Sequence, residues 1–418
     1  MKFTFMVMMW AHLSLATSYI SPSNQEASLH YQHSVIFKSK KKPQETDVKR
    51  AIEKQIAYAL GGMHSQKIKA TPKFDHSIKI TEVVSSTNIN EWKATYEFTG
   101  TIILPKNSGE TYSFILPIRP DSIYRQSEVK NEWGQKKYPC THKHYQSESE
   151  FSYFWDPFNK GCKLRAGIHY ETVYGSLSYP LKKTEIKHYP DYKQLIKNNQ
   201  IPISVFFGLN KNGNIKNPYI SLDYQARAYR DFVKKLKNSG FKNNKRRGRN
   251  KFKNGLIETF TRYSKIHGRI TVKTFFGVAS ESDYRNQNFY NKLHQAFKES
   301  TVIIYNGHSG LGSALSLETI EEESGRKLSI DSDQYQILFV NGCKSYSYYN
   351  ESFANLKNRK NIDIITNGIE SIFKDNASKT FKLIEKITLW ADSNYEVSYE
   401  QLMSELDHQD IPGVNIYR

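Results

Sequence analysis

The chain is 418 residues long, more than one compact domain needs and enough for two or three. Hydrophobic residues at 38% and aromatic residues at 13% supply packed cores, which excludes a wholly disordered chain, and 22 Gly with 13 Pro exclude a collagen-like one. Three Cys exclude a disulfide-dense scaffold, and a formal net charge of +19 admits an anionic partner without requiring one.

Lys2 is followed by an apolar stretch from Phe3 to Leu15 and then by the small residues of Ala16-Thr17-Ser18. This run is too short to span a membrane and predicts a signal peptide over 1–18, hence export to a periplasm or the medium, where disulfides persist. Beyond it no stretch reaches the 18 apolar residues of a membrane-spanning helix, so no membrane span is expected.

Residues 19–45 show no periodicity and contain Lys38-Ser39-Lys40-Lys41-Lys42-Pro43, which reads as a solvated linker. Thr46 then caps a predicted helix with Val48, Ala51, Ile52, Ile56, Ala59 and Leu60 at helical spacing, ended by Gly61-Gly62. Strands are predicted at Ile78–Ile80, Trp92–Leu104 and Tyr112–Ile118, the last two joined by a hairpin turn at Asn107-Ser108-Gly109. Residues 46–118 thus read as a small accessory domain of a helix and antiparallel β-structure. Residues 119–200 form an aromatic connector holding Cys140 and Cys162. A disulfide between these two pins the connector and leaves Cys343 as the odd thiol. The alternation of Cys140, His142 and His144, with Cys162 as a fourth ligand, is the zinc alternative.

From 201 to 418 the pattern becomes strand–helix–strand. Apolar runs at Ile203–Leu209, Ile270–Ala279, Thr301–Tyr305, Gln336–Val340 and Ile362–Thr366 alternate with helical patterns at Asp223–Leu236, Phe289–Phe297 and about 378–390. The expected fold class is therefore α/β, a mostly parallel sheet with helices on both faces in the C-terminal half, preceded by a small α+β or β-rich domain. In such sheets ligands bind beyond the carboxyl ends of the strands.

Two of those ends carry reactive side chains. Thr301–Tyr305 runs into Asn306-Gly307-His308-Ser309-Gly310, and thirty-five residues after His308 the run Gln336–Val340 leads into Asn341-Gly342-Cys343-Lys344-Ser345. A cysteine nucleophile needs thiolate character, a proton-shuttling base and N–H groups aimed at a developing oxyanion. Cys343, His308 and the amides of Ser309, Gly310 and Cys343 meet these needs on paper. With this order of motifs, over about half of the chain, the sequence resembles the caspase–hemoglobinase superfamily of cysteine peptidases, although Gly342 stands where that family more usually has Ala. The resemblance implies a caspase-like α/β domain, Cys343 as nucleophile, His308 as general base and acid, and an oxyanion hole at Gly310 and the Cys343 amide. It also implies hydrolysis of a protein or peptide substrate after one recognised side chain. Asp363 and Asn367, flanking the strand after Cys343, are candidates for the substrate cleft. No Gly-rich phosphate loop appears and no cofactor is expected.

A basic run, Lys242, Lys245, Arg246, Arg247, Arg249, Lys251 and Lys253 without an intervening acid, reads either as a solvated loop or as a polyanion-binding patch. Two alternatives to the peptidase follow. One is a catalytically silent binding module on the same fold, the other a basic protein bound to a polyanion or surface.

Overall fold

A computed structural model of the chain describes residues 17–20, 24–68, 70–106, 108–141, 146, 148–179, 187–209, 217–244, 255–279, 287–309, 314–368, 371, 373–407 and 412–418. Residues 1–16 of the expected signal peptide lie outside the described residues, and Thr17 and Ser18 fall in strand β1 (Thr17–Ile20).

The stretch 19–45 is not a linker, because it holds the 15-residue strand β2 (Asn24–Lys38). Ala27, Leu29, Tyr31, Val35 and Phe37 alternate along it into the core. His30, Gln32, His33 and Ser34 dilute that period, and the neighbouring lysines read as solvent. Helix α1 (Glu45–Ile56) is capped by Gln44 in a reciprocal box with Asp47, two residues before the expected Thr46 cap. Helix α2 (Ala59–Ser65) runs straight through Gly61-Gly62. A Cβ on Gly61 would stand 2.7 Å from the Ser152 carbonyl oxygen, and one on Gly62 would run into the Ile115 carbonyl. These glycines admit a close approach of backbones and do not end the helix.

Strands β3 (Thr71–Ser85), β4 (Glu91–Pro105) and β5 (Thr111–Pro117) follow, then helix α3 (Pro120–Gln126) and a small hairpin of β6 (Val129–Lys130) and β7 (Lys136–Lys137). Helix α4 (Glu148–Phe151) and strand β8 (Tyr170–Ser178) complete this part. The order β3-β4-β2-β8-β5 is antiparallel throughout, and β4 and β5 are not neighbours in it, so the expected hairpin between them does not form. Its core joins Tyr31, Tyr96, Phe98 and Phe114 to Trp155 of the connector. Cys140 and Cys162 are bonded to each other as a disulfide, so their sulfurs are not a thiolate pair for zinc. His142 and His144 lie outside the described residues.

The second sheet begins with β9 (Gln200–Leu209), helix α5 (Tyr224–Asn238), β10 (Lys242–Asn243), β11 (Leu256–Tyr263) and β12 (Arg269–Val278). It continues through α6 (Gln287–Glu299), β13 (Val302–Asn306), α7 (Leu317–Ser324), β14 (Gln336–Asn341), α8 (Ser345–Leu356) and β15 (Ile362–Asn367). Helices α9 (Asn376–Ser393) and α10 (Tyr399–Leu406) and strand β16 (Pro412–Tyr417) close it.

The nine strands lie in the order β1-β16-β15-β14-β13-β9-β12-β11-β10. The expectation of a mostly parallel, caspase-like sheet fails here. Four ladders of this sheet are parallel and four are antiparallel, and with the other sheets nine of thirteen described ladders are antiparallel. The sheet is mixed because β11 returns beside β12 and β16 beside β15. β11 alternates polar residues that do not read as a buried run, and β16 is broken by proline, glycine and asparagine. Within it β12, β9, β13, β14 and β15 do run parallel, and β13, β14 and β15 are buried at every position. Helices α5, α9 and α10 join the core on one face, and α6, α7 and α8 that on the other. No described helix is long and apolar enough to cross a membrane.

Gly62→Ala sets a helix-propensity gain of about 1 kcal/mol against an overpacking cost of about 1–3 kcal/mol. Because the obstructing atoms are backbone, the clash is expected to win, with a lower urea midpoint at unchanged m. A raised midpoint would show that the β5 backbone gives way.

Candidate active site

Strands β13, β14 and β15 all end in the same dipeptide, Asn306-Gly307, Asn341-Gly342 and Asn367-Gly368. Asn306 pairs with Asn341 across the β13–β14 ladder, and all three asparagines are buried. Asn341 Nδ2 donates to Asn306 Oδ1 at 2.8 Å and to Asn376 Oδ1 at 3.1 Å, and Asn341 Oδ1 accepts from Asn367 Nδ2 at 2.9 Å and Ser371 Oγ at 3.1 Å. Its two donors and two lone pairs are thereby all engaged. Thr380 donates to Asn306 Oδ1 at 2.9 Å, while Asn367 Oδ1 and Asn376 Nδ2 have no hydrogen-bond partner. The result is an amide ladder across three strand ends, locked to the first turn of α9.

His308 and Cys343 stand two residues beyond the paired Asn306 and Asn341, so equal offsets carry them off adjacent parallel strands. The two loops touch. The Ser309 hydroxyl donates to the Cys343 carbonyl, and Tyr305 OH donates to the His308 carbonyl at 3.0 Å. A Cβ on Gly342 would lie 3.0 Å from both the Gly307 carbonyl oxygen and Ser309 Oγ. That closeness is a physical reason for glycine at position 342.

Cys343 is half-buried and outside the disulfide, with Sγ 3.7 Å from the Ser371 carbonyl oxygen. Lys344 follows in the left-handed region at φ 52° and starts the 12-residue helix α8. The positive end of that helix favours a thiolate on the residue just before it. Lys344 is itself buried, with its ammonium 5.1 Å from the centre of the Phe154 ring. His64 of α2 lies within its field, and burial with Lys344 holds that imidazole down at about 3.

Burial also lowers the pKa of His308, and the carboxylate of Asp223 opposes the shift. Asp223 caps α5 by accepting from the amides of Gln225 at 2.8 Å and Ala226 at 3.1 Å. The chain passes from β9 through α5 to β12 on one side, then returns past β9 to β13 on the other. The His308 loop thus opens where strand order reverses, the usual place for a ligand crevice in such sheets.

The remaining sequence candidates separate. Ser309 lies against Cys343, and Gly310 is outside the described residues. Asn367 belongs to the ladder behind Cys343 and does not line an open cleft, since it is fully buried with its amide N–H donating to Ser345 Oγ at 2.9 Å. Asp363 is at the opposite end of β15, about 13 Å from Asn367 at the rise of a strand. There it accepts from Tyr335, from Tyr399 OH at 2.6 Å and from Arg418 Nη2 at 2.9 Å. It is a structural carboxylate, and burial pushes it up to about 6. Of the basic run, Lys242 begins β10 and Lys245 to Lys253 lie outside the described residues.

The sequence reading missed Asp223, Lys344 and the accessory sheet's part in the site. Thr71 of β3 donates to the Gly368 carbonyl, Ser347 Oγ of α8 to the Pro72 carbonyl at 2.7 Å, and Tyr346 OH to Glu26 Oε1 at 2.9 Å. The repeated Asn-Gly was the available signal for the ladder. No protein-family model matches this chain, and no curated protein matches it.

Asp223→Asn keeps the helix cap but removes the charge that favours the His308 imidazolium, so the titration midpoint of that ring, followed by proton NMR, should fall further below 6.5. Because the folded state then takes up its proton at lower pH than the unfolded chain, the stability tied to a neutral His308 is present above about pH 6.5 and is lost over a wider acid window in the variant. An unchanged midpoint would remove Asp223 from the site. Asn341→Leu leaves several buried ladder groups without partners and should cost about 2–3 kcal/mol in urea unfolding; a cost below about 0.5 kcal/mol would show that the amides are not coupled.

Proposed function

We propose that the chain is a cysteine hydrolase of peptide bonds in which Cys343 is the nucleophile and His308 the general base and acid. The observation that carries this reading is the side-by-side delivery of the two residues, in register, from the ends of β13 and β14. In the proposed cycle neutral His308 takes the thiol proton as Cys343 Sγ attacks the carbonyl carbon, and the carbon–nitrogen bond breaks as His308 passes that proton to the leaving amine. Water, deprotonated by His308, then attacks the thioester, and the proton returns to sulfur as the acid product leaves. The α8 N-terminus supports both the thiolate and a developing oxyanion. The Cys140–Cys162 disulfide supports export from the reducing cytosol.

The test is cleavage of a mixed peptide library. Cys343→Ala should abolish it, and His308→Gln should lower kcat/KM by about 10²–10⁴-fold, both with unchanged unfolding curves. A general base acts when neutral, and burial lowers the His308 pKa, so the acid limb of kcat/KM should lie below pH 6.5. Cleavage by both variants at the wild-type rate would end the proposal. No cleavage by wild type, together with no alkylation of Cys343 at neutral pH, would leave the binding-module reading in its place.

A further inference from the structure

The far end of the same sheet holds a polar floor that the proposed hydrolase does not use. On β12 the residues Arg269, Thr271, Lys273 and Phe275 share one face, as do Gln200, Pro202, Ser204 and Phe206 on the neighbouring β9. Phe275 and Phe206 are buried beneath α6, where Phe289 meets both rings at 5.8 Å and 5.6 Å. Helix α6 ends at Glu299, and past that point the face turns polar. Thr259 and Thr261 of β11 extend the floor opposite Lys273 and Thr271, and Tyr263, 76% exposed, follows them two residues on.

This floor is the base of a groove of about 590 Å³, lined also by the Lys197–Asn198 turn and by Lys298–Ser300, which meet where Lys197 Nζ donates to the Lys298 carbonyl at 2.8 Å. Four cations, Lys197, Arg269, Lys273 and Lys298, line it against one carboxylate, Glu299, which Lys273 already holds at 2.8 Å. Arg269 donates to Gln200 Oε1 at 2.8 Å, so its guanidinium is aligned along the floor. The lining reaches Asn244. In sequence the next ten residues, 245–254, carry six Lys and Arg and no acid.

We propose that this groove binds a linear anionic saccharide, one bearing sulfate or phosphate groups on a sugar chain. A concave site of this size suits a thin chain, whereas a nucleic-acid duplex with grooves about 12 Å and 6 Å wide presents itself to protruding elements. Single-stranded nucleic acid is held by successive stacked rings, and among the described residues of this floor Tyr263 is the one exposed ring. Threonine hydroxyls and the Gln200 and Asn244 amides both donate and accept, as sugar hydroxyls do, while the cations meet the anionic groups. The groove lies at the N-terminal ends of β9 and β12, at the sheet edge opposite the one where β13 and β14 deliver His308 and Cys343, so the proposal stands apart from the peptidase reading.

The probe is a heparin-derived hexasaccharide titrated against the full chain, beside its desulfated counterpart and a single-stranded oligonucleotide. The sulfated sugar should bind, with log K falling linearly in log salt. Arg269→Gln with Lys298→Gln should weaken it about tenfold or more and flatten the salt slope by about one to two. These side chains are exposed, so the unfolding midpoint should not move. Unchanged affinity in that double variant, or a loss seen only on neutralising 245–254, would overturn the groove assignment. Equal binding of the desulfated sugar, or tighter binding of the oligonucleotide, would overturn the anionic saccharide as its ligand.

Discussion

The candidate site depends on one buried constraint, the chain of side-chain amides linking Asn306, Asn341 and Asn367. Parallel strands bring their carboxyl ends to one edge, but their hydrogen bonds stop at the last paired residue, and beyond it each backbone is free to leave in its own direction. The amides extend the register past that point, with Asn341 saturated by Asn306, Asn376, Asn367 and Ser371. In a low-dielectric interior such a network holds one arrangement strongly, because any shift strands donors that water cannot reach. Gly307 and Gly342 then let the two loops touch immediately above it. That lock carries the His308 and Cys343 loops off β13 and β14 side by side.

The antiparallel sheet has a role in the same arrangement. Its strand β3 reaches the Gly368 carbonyl through Thr71 and helix α8 through the Pro72 carbonyl. Leu60 of α2 and Tyr153 of the connector enter the core that α6, α7 and α8 build on the large sheet. Helix α8 is short and has tyrosines along most of its first two turns, so its direction is set by what it packs against more than by its own periodicity. Fixing α8 fixes the polarity of the potential at Cys343. The disulfide that pins the connector therefore bears indirectly on the thiol.

How much of this was legible follows from burial. Strands covered on both faces read as unbroken apolar runs, which is why β9, β13, β14 and β15 and the reactive residues at their ends stood out. Strands with one face in water, or with small and polar residues, did not: β2 hides its alternation behind His30, Gln32 and His33, and β16 reads as Pro-Gly-Val-Asn-Ile-Tyr. Missing the reversed directions of β11 and β16 turned a mixed sheet into an apparently parallel one. Asp363 misled for a related reason. Sequence position puts it near Asn367, but a strand carries neighbours apart at about 3.3 Å per residue, so a residue at the start of β15 serves the opposite edge.

That opposite edge shows what the antiparallel strands do. Because β16 runs against β15, Tyr417 pairs with Ile362 and the following Arg418 arrives beside Asp363. A carboxylate buried on every side would otherwise take up a proton, and burial alone pushes it well up. The guanidinium, with the hydroxyls of Tyr335 and Tyr399, pulls it back, and the balance rests at about 6. On the other flank β11 folds back on β12 and brings Thr259 and Thr261 level with Lys273 and Thr271. Parallel strands alone would gather reactive ends at one edge and leave the other to loops. The reversed edge strands return side chains to that second edge, where they bring an exposed guanidinium onto a buried carboxylate at one flank and floor a cationic groove at the other.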